Sequence, residues 1–149
     1  VSRLFWLHDE CLAKPADCQP ADRWVYIWDQ AYFNNQAWSA KRLFFIFETL
    51  VDLAQQGAEI YQAPTASGLT ALVEQHGFEQ VITFSANDPV LNQLIVDVQL
   101  KIPHLTCMAQ PGLVDRDLLK PAKRFFQYWK QVEKPLLGEK LTTTHQRVR

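Results

Sequence analysis

The sequence predicts an α/β fold: a doubly wound, Rossmann-like, mostly parallel five-stranded sheet in the order 3-2-1-4-5, with helices on both faces. Three observations carry that expectation. Short apolar or β-branched runs alternate with amphipathic stretches of helical period, the pattern of repeated strand–helix–strand units. Gly or Pro punctuates the ends of these segments. Right-handed crossovers, with a long connection early in the chain, put strand 1 at the centre of the sheet. The 149 residues fit one domain with its own core and leave no room for a second of similar size.

The first element is Leu4-Phe-Trp-Leu7, a short apolar run ending in His8-Asp9-Glu10, which reads as a buried strand. Lys14 to Asp22, with Pro15 and Pro20, is a loop. Trp24-Val-Tyr-Ile-Trp28 is β-branched and aromatic and stops at Asp29, a second strand. Tyr32, Phe33 and Trp38 then fall in a polar loop beside Asn34, Asn35 and Gln36. Ser39 is the N-cap of a long helix from Ala40 to about Gln56, closed by Gly57. Its positions Leu43, Ile46, Phe47, Leu50 and Leu53 keep helical spacing, and Phe44, Phe45 and Val51 widen the stripe. That width predicts a helix deeply buried or covered on two sides.

Glu59-Ile-Tyr-Gln62 is the third strand, closed by Pro64, and Ala66 to His76 is an amphipathic helix stopped by Gly77. Val81-Ile-Thr-Phe84 is the fourth strand; Asn87 and Asp88 cap the next helix, with Pro89 in its first turn. Leu105-Thr-Cys-Met108 is the fifth strand. Asp115 starts a last helix, in which Pro121 puts a kink or a restart. Residues 1–137 are read as one domain, and the polar, basic stretch 138–149 as a tail or severed linker.

Composition narrows the function. With 15 basic and 16 acidic residues and a net charge of -1, overall charge points to no nucleic acid partner. The 5 glycines form neither a Gly-x-Gly-x-x-Gly nor a P-loop, against a dinucleotide enzyme or a kinase. Cys11, Cys18 and Cys107 lack C-x-x-C spacing and suggest neither a disulfide framework nor zinc; a reducing cytoplasm is the plain reading. No apolar run reaches the roughly 18 residues of a membrane span, and Val1-Ser-Arg-Leu-Phe-Trp-Leu7 lacks the organisation of a signal peptide.

In a doubly wound sheet the ligand crevice lies beyond the carboxyl ends of the strands, where the chain order reverses. Here that point falls between strands 1 and 4, beside His8, Asp9 and Glu10 on one side and Ser85, Asn87 and Asp88 on the other. Asp29, Tyr32 and Phe33 follow strand 2 nearby. The His8–Glu10 cluster suits general acid/base chemistry or a partial metal site, or is a turn with solvated side chains; no second His or Cys stands at ligand spacing. Ser85 lacks the Gly-x-Ser-x-Gly elbow of a nucleophile and reads as the close of a strand. The helix opening at Asn87 can turn its N–H groups to an anion, although Asp88 would repel a phosphate. No catalytic or metal-ligating residue is assigned. Near the C-terminus, Phe125, Tyr128 and Trp129 sit among Lys123, Arg124 and Lys130; with Glu133 beside them they read as an interface rather than a single-strand nucleic acid patch.

Three stretches in order carry a family resemblance: Trp28-Asp-Gln-Ala-Tyr-Phe33 followed by Ser39-Ala-Lys-Arg-Leu-Phe-Phe-Ile-Phe47, then Ser85-Ala-Asn-Asp-Pro89, then Lys120-Pro-Ala-Lys-Arg-Phe-Phe-Gln-Tyr-Trp-Lys130. With the order of elements, they resemble the N-terminal α/β domain of the DNA photolyase and cryptochrome superfamily, especially its photolyase-related branch. Strand 1 departs from the pattern, ending in Leu7-His8-Asp9 without the arginine-rich loop of many photolyases. The resemblance implies a layer without catalysis of its own, because FAD belongs to a helical domain outside it. It implies at most an antenna chromophore (a folate, deazaflavin or lumazine) or nucleotide-like ligand at the strand carboxyl ends. His8, Asp9, Asp29, Tyr32, Phe33, Asn87 and Asp88 are the positions to hold it. The expected partner is the helical FAD domain in a longer chain, or a second copy. Two other readings stand beside this one: a nucleotide-binding protein of universal-stress type, and an interaction module without a small ligand.

Overall fold

The structure is a computed structural model that describes residues 2–110 and 119–137. The chain divides into two units, Val1–Gln110 and Pro111–Arg149. The first unit holds strands β1 (Arg3–Leu7), β2 (Arg23–Trp28), β3 (Glu59–Gln62), β4 (Gln80–Phe84) and β5 (Leu105–Met108). Its helices are α1 (Gln30–Asn34), α2 (Ala40–Gln55), α3 (Thr65–His76) and α4 (Pro89–Lys101). The five strands run in the order β3-β2-β1-β4-β5, every neighbour parallel. This is the predicted α/β sheet.

Side-chain alternation sorts each strand between two cores. Leu4 and Trp6 of β1 join Val25, Ile27 and Val81 beneath Leu69 and Leu72 of α3 and Leu91, Ile95 and Val98 of α4. Phe5 and Leu7 join Trp24, Tyr26 and Ile82 beneath Ile46, Leu50 and Leu53 of α2. β1 is central, and Leu4, Phe5, Trp6 and Leu7 are at most 2% exposed. Burying such a side chain stabilises the fold by roughly 1.5–3 kcal/mol, so this one strand anchors both faces.

The helix ends follow local chemistry. Ser39 Oγ accepts from Arg42 N–H at α2, and Asp88 accepts from Val90 N–H at 2.8 Å and Leu91 N–H at 3.0 Å at α4. Gly77 ends α3 in the left-handed region at φ 64°, where a side chain would be strained. Gly68 lets α3 lie close on the sheet, because a Cβ there would stand 3.0 Å from Ala63 Cβ.

Two expectations fail. Tyr32 and Phe33 do not sit in an open polar loop: they belong to α1, and Phe33 is 4% exposed. Asp29 caps that short helix, and Phe33 packs between Trp28, centroids 4.6 Å apart, and Trp38 at 5.7 Å. Nor is α2 covered on two sides: Phe44, Phe45 and Phe47 are 60%, 64% and 54% exposed. One face meets the sheet, and within this unit nothing lies over the other.

In the second unit α5 spans Phe125–Leu137. The helix begins after Pro121; the expected start at Asp115 and the tail 138–149 lie outside the described residues. Phe125 stacks on Trp129 one turn on, rings 6.0 Å apart and 17° from parallel. Phe125, Phe126 and Tyr128 are exposed. No helix among the described residues is long and apolar enough to cross a membrane.

Candidate functional site

Parallel pairing brings the ends of β1 and β4 together, so the loop after β1 meets the turn into α4. His8, 3% exposed, lies at this seam. Its Nδ1 accepts from Glu10 N–H at 3.2 Å, so the proton belongs on Nε2, which donates to the Phe84 carbonyl at 2.8 Å. Burial holds the imidazole below its ordinary pKa, with that carbonyl pulling the other way. His8 is thus a neutral crosspiece between β1 and β4, with both ring nitrogens engaged.

Glu10 does what an anionic ligand would do here. Its carboxylate accepts from Asn87 N–H and Asp88 N–H, both at 2.7 Å, and from Asn87 Nδ2 at 3.2 Å. The first N–H groups inside α4 are taken by Asp88. The donors that a phosphate would seek at this switch point therefore hold two of the chain's own carboxylates.

Asp29 is 8% exposed and also faces inward. One oxygen accepts from Tyr32 N–H at 3.1 Å, while the other takes Thr65 N–H at 2.8 Å and Thr65 Oγ1 at 3.0 Å. α3 has no side-chain cap of its own. Asp29, from the end of β2, supplies one to α1 and α3 together. Asp9 accepts from Tyr26 Oη at 2.5 Å. Burial, then the charge of Asp9, raises the pKa of Tyr26 and of Tyr32, keeping both phenols protonated. The second oxygen of Asp9 and the hydroxyl of Tyr32 are buried without partners. Beside them is a cavity of about 10 Å³, lined among others by Trp6, His8, Asp9, Tyr26 and Tyr32. That volume is close to the roughly 10–15 Å³ needed for one water and far below that of a chromophore.

Of the positions expected to hold a ligand, the structure groups His8, Asp9, Asn87 and Asp88 with Glu10 around the β1–β4 seam. Asp29, Tyr32 and Phe33 gather at the end of β2, and Tyr32 also reaches the wall of the small cavity. Trp28, Phe33, Tyr32 and Trp38 do not form an open stacking platform: their rings meet at 50–84° and fill one another's faces. Phe125, Tyr128 and Trp129 all lie on α5 in the second unit.

The larger apolar cavity lies elsewhere. A groove of about 430 Å³ runs between α2 and the edge strand β3, with Trp28, Phe47, Val51, Ala54, Ile60 and Tyr61 in its walls. Sequence reasoning counted Phe47 and Val51 as helix-stripe residues and did not place Ile60 beside them. The signal that could have found the groove is the order of strands, which makes β3 an edge next to α2. Among the described residues no group of three or more His, Cys, Asp or Glu side chains is placed to hold a metal ion. Compared with models of known families, the chain matches none, and no curated protein matches it.

Proposed function

We propose that this chain is an accessory α/β layer of photolyase N-terminal type, whose working surface is the apolar groove between α2 and β3 and whose partner is a protein surface. The supporting observation is a contrast within one unit. At the switch point, the N–H groups of Asn87 and Asp88 already hold Glu10. Along the groove, Phe47, Val51 and Ile60 remain exposed. An exposed apolar surface that joins helix to sheet edge marks an interaction site more often than a catalytic one. The order of the three sequence stretches supports the photolyase-type assignment, and with it a helical FAD domain or a second copy as partner. A reducing cytoplasm suits the free Cys11, Cys18 and Cys107.

The test is a melting curve with millimolar ATP, AMP or phosphate. This reading expects no shift. A saturable rise in melting temperature, lost on replacing Asn87 and Asp88, would return the switch point to nucleotide binding and sink it.

One observation favours a second reading. The groove's volume of about 430 Å³ lies within the ~300–1,000 Å³ of small-ligand sites, and Trp28 and Tyr61 line it. A folate, deazaflavin or lumazine seated there would add an absorption band to the red of the protein's own, quenched or shifted by Trp28→Ala. No such band after incubation and gel filtration would remove this reading.

A further inference from the structure

The turn after β1 hangs the clamp on α4 from a histidine. Cys11 N–H donates to the His8 carbonyl at 2.8 Å, closing a tight turn with Asp9 and Glu10 at its tip. Within it, Glu10 N–H donates to His8 Nδ1 at 3.2 Å, while His8 Nε2 donates to the Phe84 carbonyl of β4 at 2.8 Å. The carboxylate of the same Glu10 holds Asn87 N–H and Asp88 N–H, both at 2.7 Å, across the seam. The imidazole therefore fixes the peptide that carries the clamp, and only its neutral form fits.

A further proton on this ring goes to Nδ1, the nitrogen that carries none. It then faces the N–H of Glu10, donor against donor. The ring is 3% exposed, so water enters between the two only if the turn moves. The bond to Phe84 is untouched, because Nε2 keeps its proton; the conflict is confined to the turn. The groups around the ring set the balance. Asp9 and Glu10, on its own turn, favour the imidazolium. Cys11, Tyr26 of β2 and Tyr32 of α1 stay protonated, the thiol through burial and the phenols through burial and the charge of Asp9. α3 and α4 bring the uncharged Thr65, Leu91 and Leu94, β4 brings a carbonyl, and Asp88 at the head of α4 is joined to the turn by Glu10. Burial outweighs the two carboxylates and holds the ring below its ordinary pKa. The closed turn thus resists the proton that an opened one accepts.

We infer that the β1–β4 seam is a latch released by protonation of His8: the turn from His8 to Cys11 moves off, Glu10 leaves Asn87 and Asp88, and the entry to α4 is freed while β1 and β4 stay paired. The latch stands apart from the α2 surface and does not depend on it. Its sign follows from linkage. With the folded pKa of the ring depressed, the closed form has its full advantage above about pH 6.5. Below that the open fraction rises by up to about tenfold per pH unit, until the folded pKa is passed. At neutral pH the seam is shut; in acid two backbone donors that the fold otherwise occupies become available.

Amide hydrogen exchange of the full chain, followed by NMR from about pH 7.5 to about pH 5.5, is the direct measurement. Rates are expressed as protection factors, so that the pH dependence of exchange chemistry itself is divided out. Asn87 and Asp88 are expected to lose protection severalfold, up to about tenfold, over that range, and to stay less protected than Trp6 of β1 throughout. In His8→Gln, whose amide can donate to Phe84 but takes up no proton, the loss disappears. Should that chain fail to fold, His8→Asn gives the same readout and leaves an acceptor for Glu10 N–H. In Glu10→Gln, which has no carboxyl to titrate, the loss persists. Protection that is level across the range overturns the inference, as does protection that equals that of Trp6 at every pH, since the seam then opens only with the whole unit. An equal loss in the His8 variants, or a loss abolished by Glu10→Gln, overturns it as well, by moving the trigger off the imidazole.

Discussion

Replacing Asp29 by alanine tests whether the acid after β2 belongs to the fold or to a ligand. The side chain is 8% exposed and accepts three hydrogen bonds, from Tyr32 N–H, Thr65 N–H and Thr65 Oγ1. Thr65 itself is 3% exposed, so water cannot simply take the place of the carboxylate. Each buried donor left without a partner costs about 1–3 kcal/mol, and relief from desolvating the carboxylate offsets part of the sum. The net expectation is a loss of about 3 kcal/mol. In urea denaturation at neutral pH this appears as a lower midpoint at unchanged slope. In a thermal scan it is a drop of roughly 6–12 °C for a chain of this length. Asp29→Asn should cost about half as much, because its amide keeps one acceptor and turns a donor toward another. Thr65→Val should cost about 1 kcal/mol, and the double replacement less than the two single losses added, since both cut the same bonds. An Asp29→Ala protein within ~0.5 kcal/mol of the parent would refute the structural assignment. Loss of ligand binding at unchanged stability would instead return Asp29 to a site.

Glu10→Ala removes the carboxylate from Asn87 and Asp88 and should cost about 1–2 kcal/mol; native-state hydrogen exchange at those two amides should quicken about tenfold or more, while β1 amides that open only globally show just the overall loss. His8 gives the pH dependence. Its folded pKa lies below the unfolded 6.5, so between the two values the unfolded chain binds the extra proton. Its contribution is whole above about pH 6.5 and falls below it by up to ~1.4 kcal/mol per unit. His8→Gln should flatten that slope in urea titrations from pH 7.5 down to about 5, and parallel curves for the two proteins would contradict the assignment. Gly77→Ala should destabilise by about 1 kcal/mol in thermal melts through its left-handed backbone, since no atom lies within 4 Å to clash with the new Cβ.

β1, β2 and β4 were legible because each is a short apolar run that then breaks off, as at Asp29 after Trp28, and the half-polar β3 because Pro64 stands two residues beyond Gln62. Ser39, Gly77 and Asp88 could be read for a similar reason: capping is a contact between residues two to four apart. α1 was not legible. Five residues are too few to establish a helical period, and this helix exists because Asp29 caps it and Phe33 finds a core beneath it. The Glu10 clamp spans 77 positions in sequence. Topology was enough to bring the two loops together, but not to show that the acid of one would occupy the donors of the other. α2 was ambiguous in a different way. Its composition is that of a helix buried on two sides, and only the fold shows that one of its faces has no cover within the unit.

The two ends of this unit differ in what they leave unsatisfied, and that difference bears on function more directly than the fold does. At the β1–β4 seam, hydrogen bonds bind the loops to one another, so an entering ligand must break Glu10 away from Asn87 and Asp88 before it gains anything. Along α2 no internal bond has to break. The exposed Phe44, Phe47 and Val51 hold hydrophobic stabilisation not realised in the isolated unit. Part of that is spent on association entropy when a partner arrives, which keeps the contact reversible. A ligand at the switch point has to compete with the fold, whereas a partner on α2 completes it.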